Sequence, residues 1–116
     1  MTADSDVHAV ASEVVVVLTT LPEEADAAAF AETLVAERLA ACVSIAAPMT
    51  SVYTWKGTVE RASERQLLLK TVRAKLPAIA ARLAALHPYE VPELLVLPVA
   101  GGGDAYLAWV RASTAG

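Results

Sequence analysis

The chain has 116 residues, a formal net charge of −4, 56% hydrophobic and 19% charged residues, and one cysteine. High apolar content with little net charge excludes a disordered chain and fits a single hydrophobic core. The nine basic residues are scattered, which argues against nucleic acid as a partner, and no apolar run nears the ~20 residues that span a bilayer, which argues against a membrane partner.

Residues 1–12 carry Asp4, Asp6 and His8 but no Lys or Arg. They read as a polar, flexible tail rather than a secretory leader, ahead of one domain over residues 13–116. The single Cys42 fits a reducing compartment, so the expected location is the cytoplasm. Val14–Leu18 is a β-branched run without alternation, which predicts a central strand ended by Thr19–Pro22. Pro22, Glu23, Glu24 and Asp26 suit the first turn of a helix running to about Ala40, with Ala27, Phe30, Ala31, Leu34 and Val35 as its buried stripe. Arg38 falls where a cation serves the C-terminus of that helix.

Cys42–Ile45 and Thr50–Trp55 read as one long strand interrupted near Pro48. Lys56–Gly57 is a turn, and Thr58–Arg73 is the return strand of a long hairpin. Leu76–His87 is a second helix with Pro77 in its first turn, stopped by Pro88. Glu93–Val99 is the last strand, Gly101–Gly103 a flexible break, and Asp104 an N-cap for a short helix over Ala105–Ser113.

The order β-α-β-β-α-β plus a short helix is an α+β, ferredoxin-like plan: an antiparallel sheet with two helices on one face. The expected strand order is 4-1-3-2 or a close relative of it, with the long second strand at an edge. Tyr53 and Trp55 stand near the hairpin tip, far from their own core, which points to a subunit interface.

Several segments carry a resemblance: Ala36–Ile45 (AERLAACVSI), Thr50–Gly57 (TSVYTWKG), Leu69–Thr71 with Lys75–Pro77, Leu86–Pro98 (LHPYEVPELLVLP) and Asp104–Val110 (DAYLAWV). In this order, over roughly Glu13 to Ala112, they resemble the CutA family of divalent-cation tolerance proteins. The resemblance implies a ferredoxin-like domain and a homotrimer joined through the hairpin arms, similar to signal-transduction trimers. It also implies tolerance of divalent metals, chiefly Cu(II), without catalysis and without an organic cofactor.

For metal, the side chains that stand out are His87 and Cys42, an imidazole and a soft thiolate. The alternatives are a helix-end histidine fixed by a backbone carbonyl and a small buried cysteine. Where some copper-binding members of the family carry a second cysteine and paired histidines, this chain has Thr19 and Leu86–His87. The expected copper contact is therefore weak and exchangeable. Lys70, Tyr89, Glu90, Trp55, Tyr53 and Trp109 are expected at a cleft between subunits, with Glu60, Glu64 and Tyr106 nearby. A second reading makes those clefts the site of a small-molecule sensor or regulatory scaffold.

Overall fold

The computed structural model describes residues 13–116 and the backbone of Val7–His8. In chain order its elements are β1 (Val7–His8), β2 (Val14–Pro22), α1 (Ala27–Ala36), β3 (Cys42–Ile45), β4 (Met49–Trp55), β5 (Thr58–Val72), a 3-10 turn (Arg73–Lys75), α2 (Leu76–Leu86), β6 (Leu95–Pro98), β7 (Gly102–Gly103) and α3 (Asp104–Thr114). The main sheet runs β3-β5-β2-β6, with β4 also on β5 and every pairing antiparallel. With β3 and β4 counted as one interrupted strand, this is the expected 4-1-3-2 order.

β2 is central, as its unbroken apolar run predicts. It extends further than expected, because Thr19, Thr20 and Leu21 still face Leu67, Gln66 and Arg65 on β5 and Leu21 is buried. β6 leaves β2 after Leu18, so this stretch is paired on one side only. A residue without an amide is tolerated at such an end, and Pro22 closes the strand instead of opening a helix. α1 begins later, where the Asp26 carboxylate accepts from the Ala29 amide at 3.0 Å.

α1 also stops earlier than its apolar pattern indicates. Arg38 takes a left-handed conformation at φ 60°. The Leu39 amide reaches the Leu34 carbonyl and the Arg38 amide reaches that of Val35, a Schellman closure with arginine where glycine is usual. Leu34 and Leu39 then pack into the core together. The Arg38 guanidinium serves a different helix end from the one expected: it donates to the Ala115 carbonyl just past α3.

Alternation along the strands sorts the core. Val15, Val17, Leu21, Leu67 and Leu69 point to the helical face and pack with Leu34, Ile79 and Leu83. On the second face Val14, Ala41 and Val72 pack against Leu107 and Val110 of α3. α3 covers only that end of the face. Val16, Leu18 and Leu68 remain half-buried there, and Leu95 and Leu97 of β6 are exposed.

The β4–β5 hairpin projects as an arm, and the molecule measures 56 × 26 × 23 Å. Its turn has positive φ at both Lys56 and Gly57, the primed geometry that matches strand twist. Gly102–Gly103, read as a flexible break, instead pairs with Val7–His8. The rest of the tail, residues 1–6 and 9–12, lies outside the described residues. Asp104 is the first residue of α3, with Gly103 in the capping position. The last strand is shorter than Glu93–Val99, since Glu93 and Leu94 belong to the loop before β6.

Candidate functional site

His87 ends α2, its amide bonded to the Leu83 carbonyl at 2.9 Å and its backbone extended as the following proline requires. The ring is 8% exposed. Nε2 donates to the Thr20 carbonyl at 2.5 Å, and Nδ1 accepts from the Tyr89 amide at 3.1 Å. A carbonyl only accepts and an amide only donates, so these contacts fix the neutral imidazole with its proton on Nε2. The unprotonated Nδ1, the atom a metal would use, holds the turn that begins the 88–93 loop.

Cys42 sits elsewhere. It faces Lys70 across the β3–β5 ladder, and Lys70 in turn faces Val16 on β2. His87 reaches β2 at Thr20, four positions further along, or about 13 Å at ~3.3 Å per residue. The two proposed ligands do not meet within one chain. Lys70 Nζ donates to Ser44 Oγ and lies 3.9 Å from Cys42 Sγ. Tyr106 is close enough to this group that burial first, and then the Cys42 charge, push its hydroxyl above the ordinary range.

Among the described residues no group of three or more His, Cys, Asp or Glu could hold a metal ion. The buried Thr19 Oγ1 has no hydrogen-bond partner among them, but a neutral hydroxyl is a poor ligand for copper. One chain therefore does not fit a resident copper centre.

What the fold does assemble is a cleft of about 770 Å³ between the hairpin arm and the Pro88–Glu93 loop. Met49, Ser51, Tyr53 and Trp55 alternate along β4, and Glu60, Glu64 and Gln66 alternate along β5. The register sets Tyr53 opposite Glu60 and Met49 opposite Glu64, so one side of the arm forms a wall. Two bonds tie the loop to that wall. Tyr89 Oη donates to Glu64 Oε2 at 2.7 Å, and Gln66 Nε2 donates to Glu93 Oε2 at 2.8 Å and to the Thr19 carbonyl at 2.7 Å. Of the expected cleft residues, Tyr53, Trp55, Tyr89 and Glu90 come together, with Glu60 and Glu64. Lys70 stays beside Cys42, and Trp109 lies against Tyr106 on α3 with ring centres 5.5 Å apart.

Thr20, Met49, Ser51, Gln66 and Glu93 also line the cleft and escaped the sequence reading. The alternation around the Lys56–Gly57 turn signals Met49, Ser51 and Gln66, whereas Thr20 comes from β2 and the return of the 88–93 loop has no local signal.

Burial first, then the bond and charge of Glu64, hold the Tyr89 hydroxyl well above its ordinary value. The folded chain therefore keeps this proton above pH ~10, where an unfolded chain loses it. The stability difference between wild type and Tyr89→Phe is expected to be constant below pH ~10 and to shrink as pH rises beyond it. Denaturant titrations from pH 8 to 11.5 check this, and a difference that stays flat would contradict it.

Residues 15–113 match the family model described as CutA1 divalent ion tolerance protein. The divalent-cation tolerance protein CutA of Thermus thermophilus is 48% identical over 99 residues, spanning 85% of this chain and 96% of the relative. That of Pectobacterium atrosepticum is 45% identical over 101 residues, spanning 87% and 92%. Among solved structures, CutA from Synechococcus elongatus superposes with a TM-score of 0.88 at 37% identity, covering 98% of this chain and 100% of the other. CutA1 from Oryza sativa gives 0.85 at 38% identity, covering 90% and 95%. On the family match and these identities, the chain belongs to the CutA1 divalent ion tolerance family.

Proposed function

We propose that this chain works in divalent-metal tolerance as a non-catalytic, cytoplasmic homotrimer that contacts Cu(II) or another divalent ion weakly and exchangeably. The observation that carries the trimer is the apolar surface that no helix among the described residues covers. Leu95 and Leu97 lie exposed on an edge strand beside half-buried Val16, Leu18 and Leu68. Val52 and Val59, 64% and 72% exposed, add a separate apolar patch on the opposite side of the arm. Long apolar edges of this kind are covered by another chain. His87 contributes to metal contact only when Nδ1 leaves the Tyr89 amide, so the affinity is low.

Light scattering with Cu(II) and Zn(II) calorimetry tests both parts. The expected mass is that of three chains, lowered by Val52→Arg. The expected Cu(II) binding is weak, saturable and lost in His87→Gln. A one-chain mass for the wild type would overturn the trimer, and binding unchanged in His87→Gln would overturn the His87 contact.

The cleft favours a second reading, in which a small molecule bound at the arm is what the assembly senses. Its volume lies within the range of ordinary ligand pockets.

A further inference from the structure

Four carboxylates, those of Glu60, Glu64, Glu90 and Glu93, line the arm cleft, and no Lys, Arg or His lines it among the described residues. Glu64 is 7% exposed. Its Oε2 accepts from Tyr89, and no hydrogen bond or ion pair reaches its Oε1 among the described residues. A carboxylate this little exposed is ordinarily matched by a cation or a set of donors, whereas Glu64 has a single neutral hydroxyl and leaves its other oxygen open to the cleft. The chain's net charge of −4 supplies no compensating field. The described residues thus bring four carboxylates and no positive charge to the cleft.

The walls indicate what kind of cation. Tyr53, Trp55 and Tyr89 bring aromatic surface to the same space as the carboxylates. Aromatic faces attract ammonium groups and their methylene spacers. The Trp55 ring already carries one such contact, with Lys56 Nζ 5.6 Å from its centre. A bare metal ion needs three or more ligands converging within ~2–3 Å, and no such group exists among the described residues. The cleft, at about 770 Å³, is also far larger than an ion.

We infer that the arm cleft binds an organic di- or polyamine, with one ammonium group on Glu64 and a second reaching Glu60 or Glu93 along the aromatic wall. This rests on the small-molecule reading of the cleft given above. The Tyr89 and Gln66 bonds position the loop in advance, so little ordering is left to the moment of binding.

Spermidine, titrated calorimetrically into the full chain at low ionic strength, is the test, with citrate and Mg(II) in parallel. Saturable spermidine binding is expected, weakened about tenfold or more by Glu64→Gln and by Glu60→Gln. Glu60 is exposed, so its variant keeps the fold, and Glu64→Gln keeps an oxygen for Tyr89. No saturable spermidine binding, or binding unchanged in both variants, overturns the inference. Displacement of spermidine by an equal concentration of Mg(II) overturns it too, in favour of a metal in the cleft. Citrate bound in place of spermidine, and lost in Ser51→Trp, overturns the cation class and keeps the small-molecule reading. If none of these probes binds, both fall.

Discussion

Val16→Pro is expected to leave no cooperatively folded protein. Val16 sits in the middle of the central strand, facing Lys70 on β5 and Leu97 on β6. A strand paired on both sides has no edge toward which a missing amide could turn, and the proline ring crowds the neighbouring backbone. One stranded acceptor costs roughly 1–3 kcal/mol, and loss of the valine side chain against Leu18 and the β6 edge adds about 1–2 kcal/mol. Distortion of the adjacent Val15 and Val17, both fully buried, adds more. Against a total stability of about 5–15 kcal/mol for a domain, the first two terms alone reach the lower bound before that distortion is counted. Val59→Pro is the control. Val59 lies on the arm, 72% exposed and paired only with Thr54 of β4. It should fray the arm and leave the main melting transition in place. Circular dichroism melts of both variants check the pair, and a wild-type transition in Val16→Pro would contradict the central placement of β2.

That placement was legible because Val14–Leu18 lacks the alternation of a one-sided strand. The helical stripes and the long hairpin were legible for similar reasons of periodicity. The misread positions share a different property. Pro22 and Arg38 each sit at an element boundary where local preference points one way and a tertiary partner decides otherwise. Pro22 stays in the sheet because Leu21 is needed in the core. Arg38 ends α1 because Leu39 must turn inward beside Leu34. The Gly102–Gly103 pairing depends on Val7–His8, almost a chain length away, and no window of sequence contains both. The cleft divides in the same manner. Its arm wall follows from alternation around a two-residue turn, but the Tyr89–Glu64 bond joins residues 25 apart through a loop without periodicity. The separation of Cys42 from His87 likewise needed the register, since both flank apolar segments that look alike in one dimension.

His87→Ala is expected to cost about 2–4 kcal/mol in the complete absence of metal. The substitution strands the Thr20 carbonyl, a buried acceptor, at roughly 1–3 kcal/mol. It also frees the Tyr89 amide, which is only partly buried and recovers some of its loss from water. The ring's contacts with Phe30 and Tyr89, at centroid distances of 6.4 and 4.9 Å, disappear as well. His87→Gln separates these contributions. Its amide nitrogen reaches about as far as Nε2 and donates to Thr20, while nothing accepts from Tyr89, so it should recover roughly half the loss. Denaturant unfolding with a chelator present gives the comparison. A His87→Ala variant as stable as wild type would mean that the ring's two hydrogen bonds do not hold the end of α2. The expected loss bears directly on any metal assay. Because the ring secures the turn into the 88–93 loop, its removal loosens the cleft wall and lowers the melting temperature together. A missing metal response in His87→Ala then has two causes, and only His87→Gln, measured well below its own transition, isolates the imidazole as a ligand.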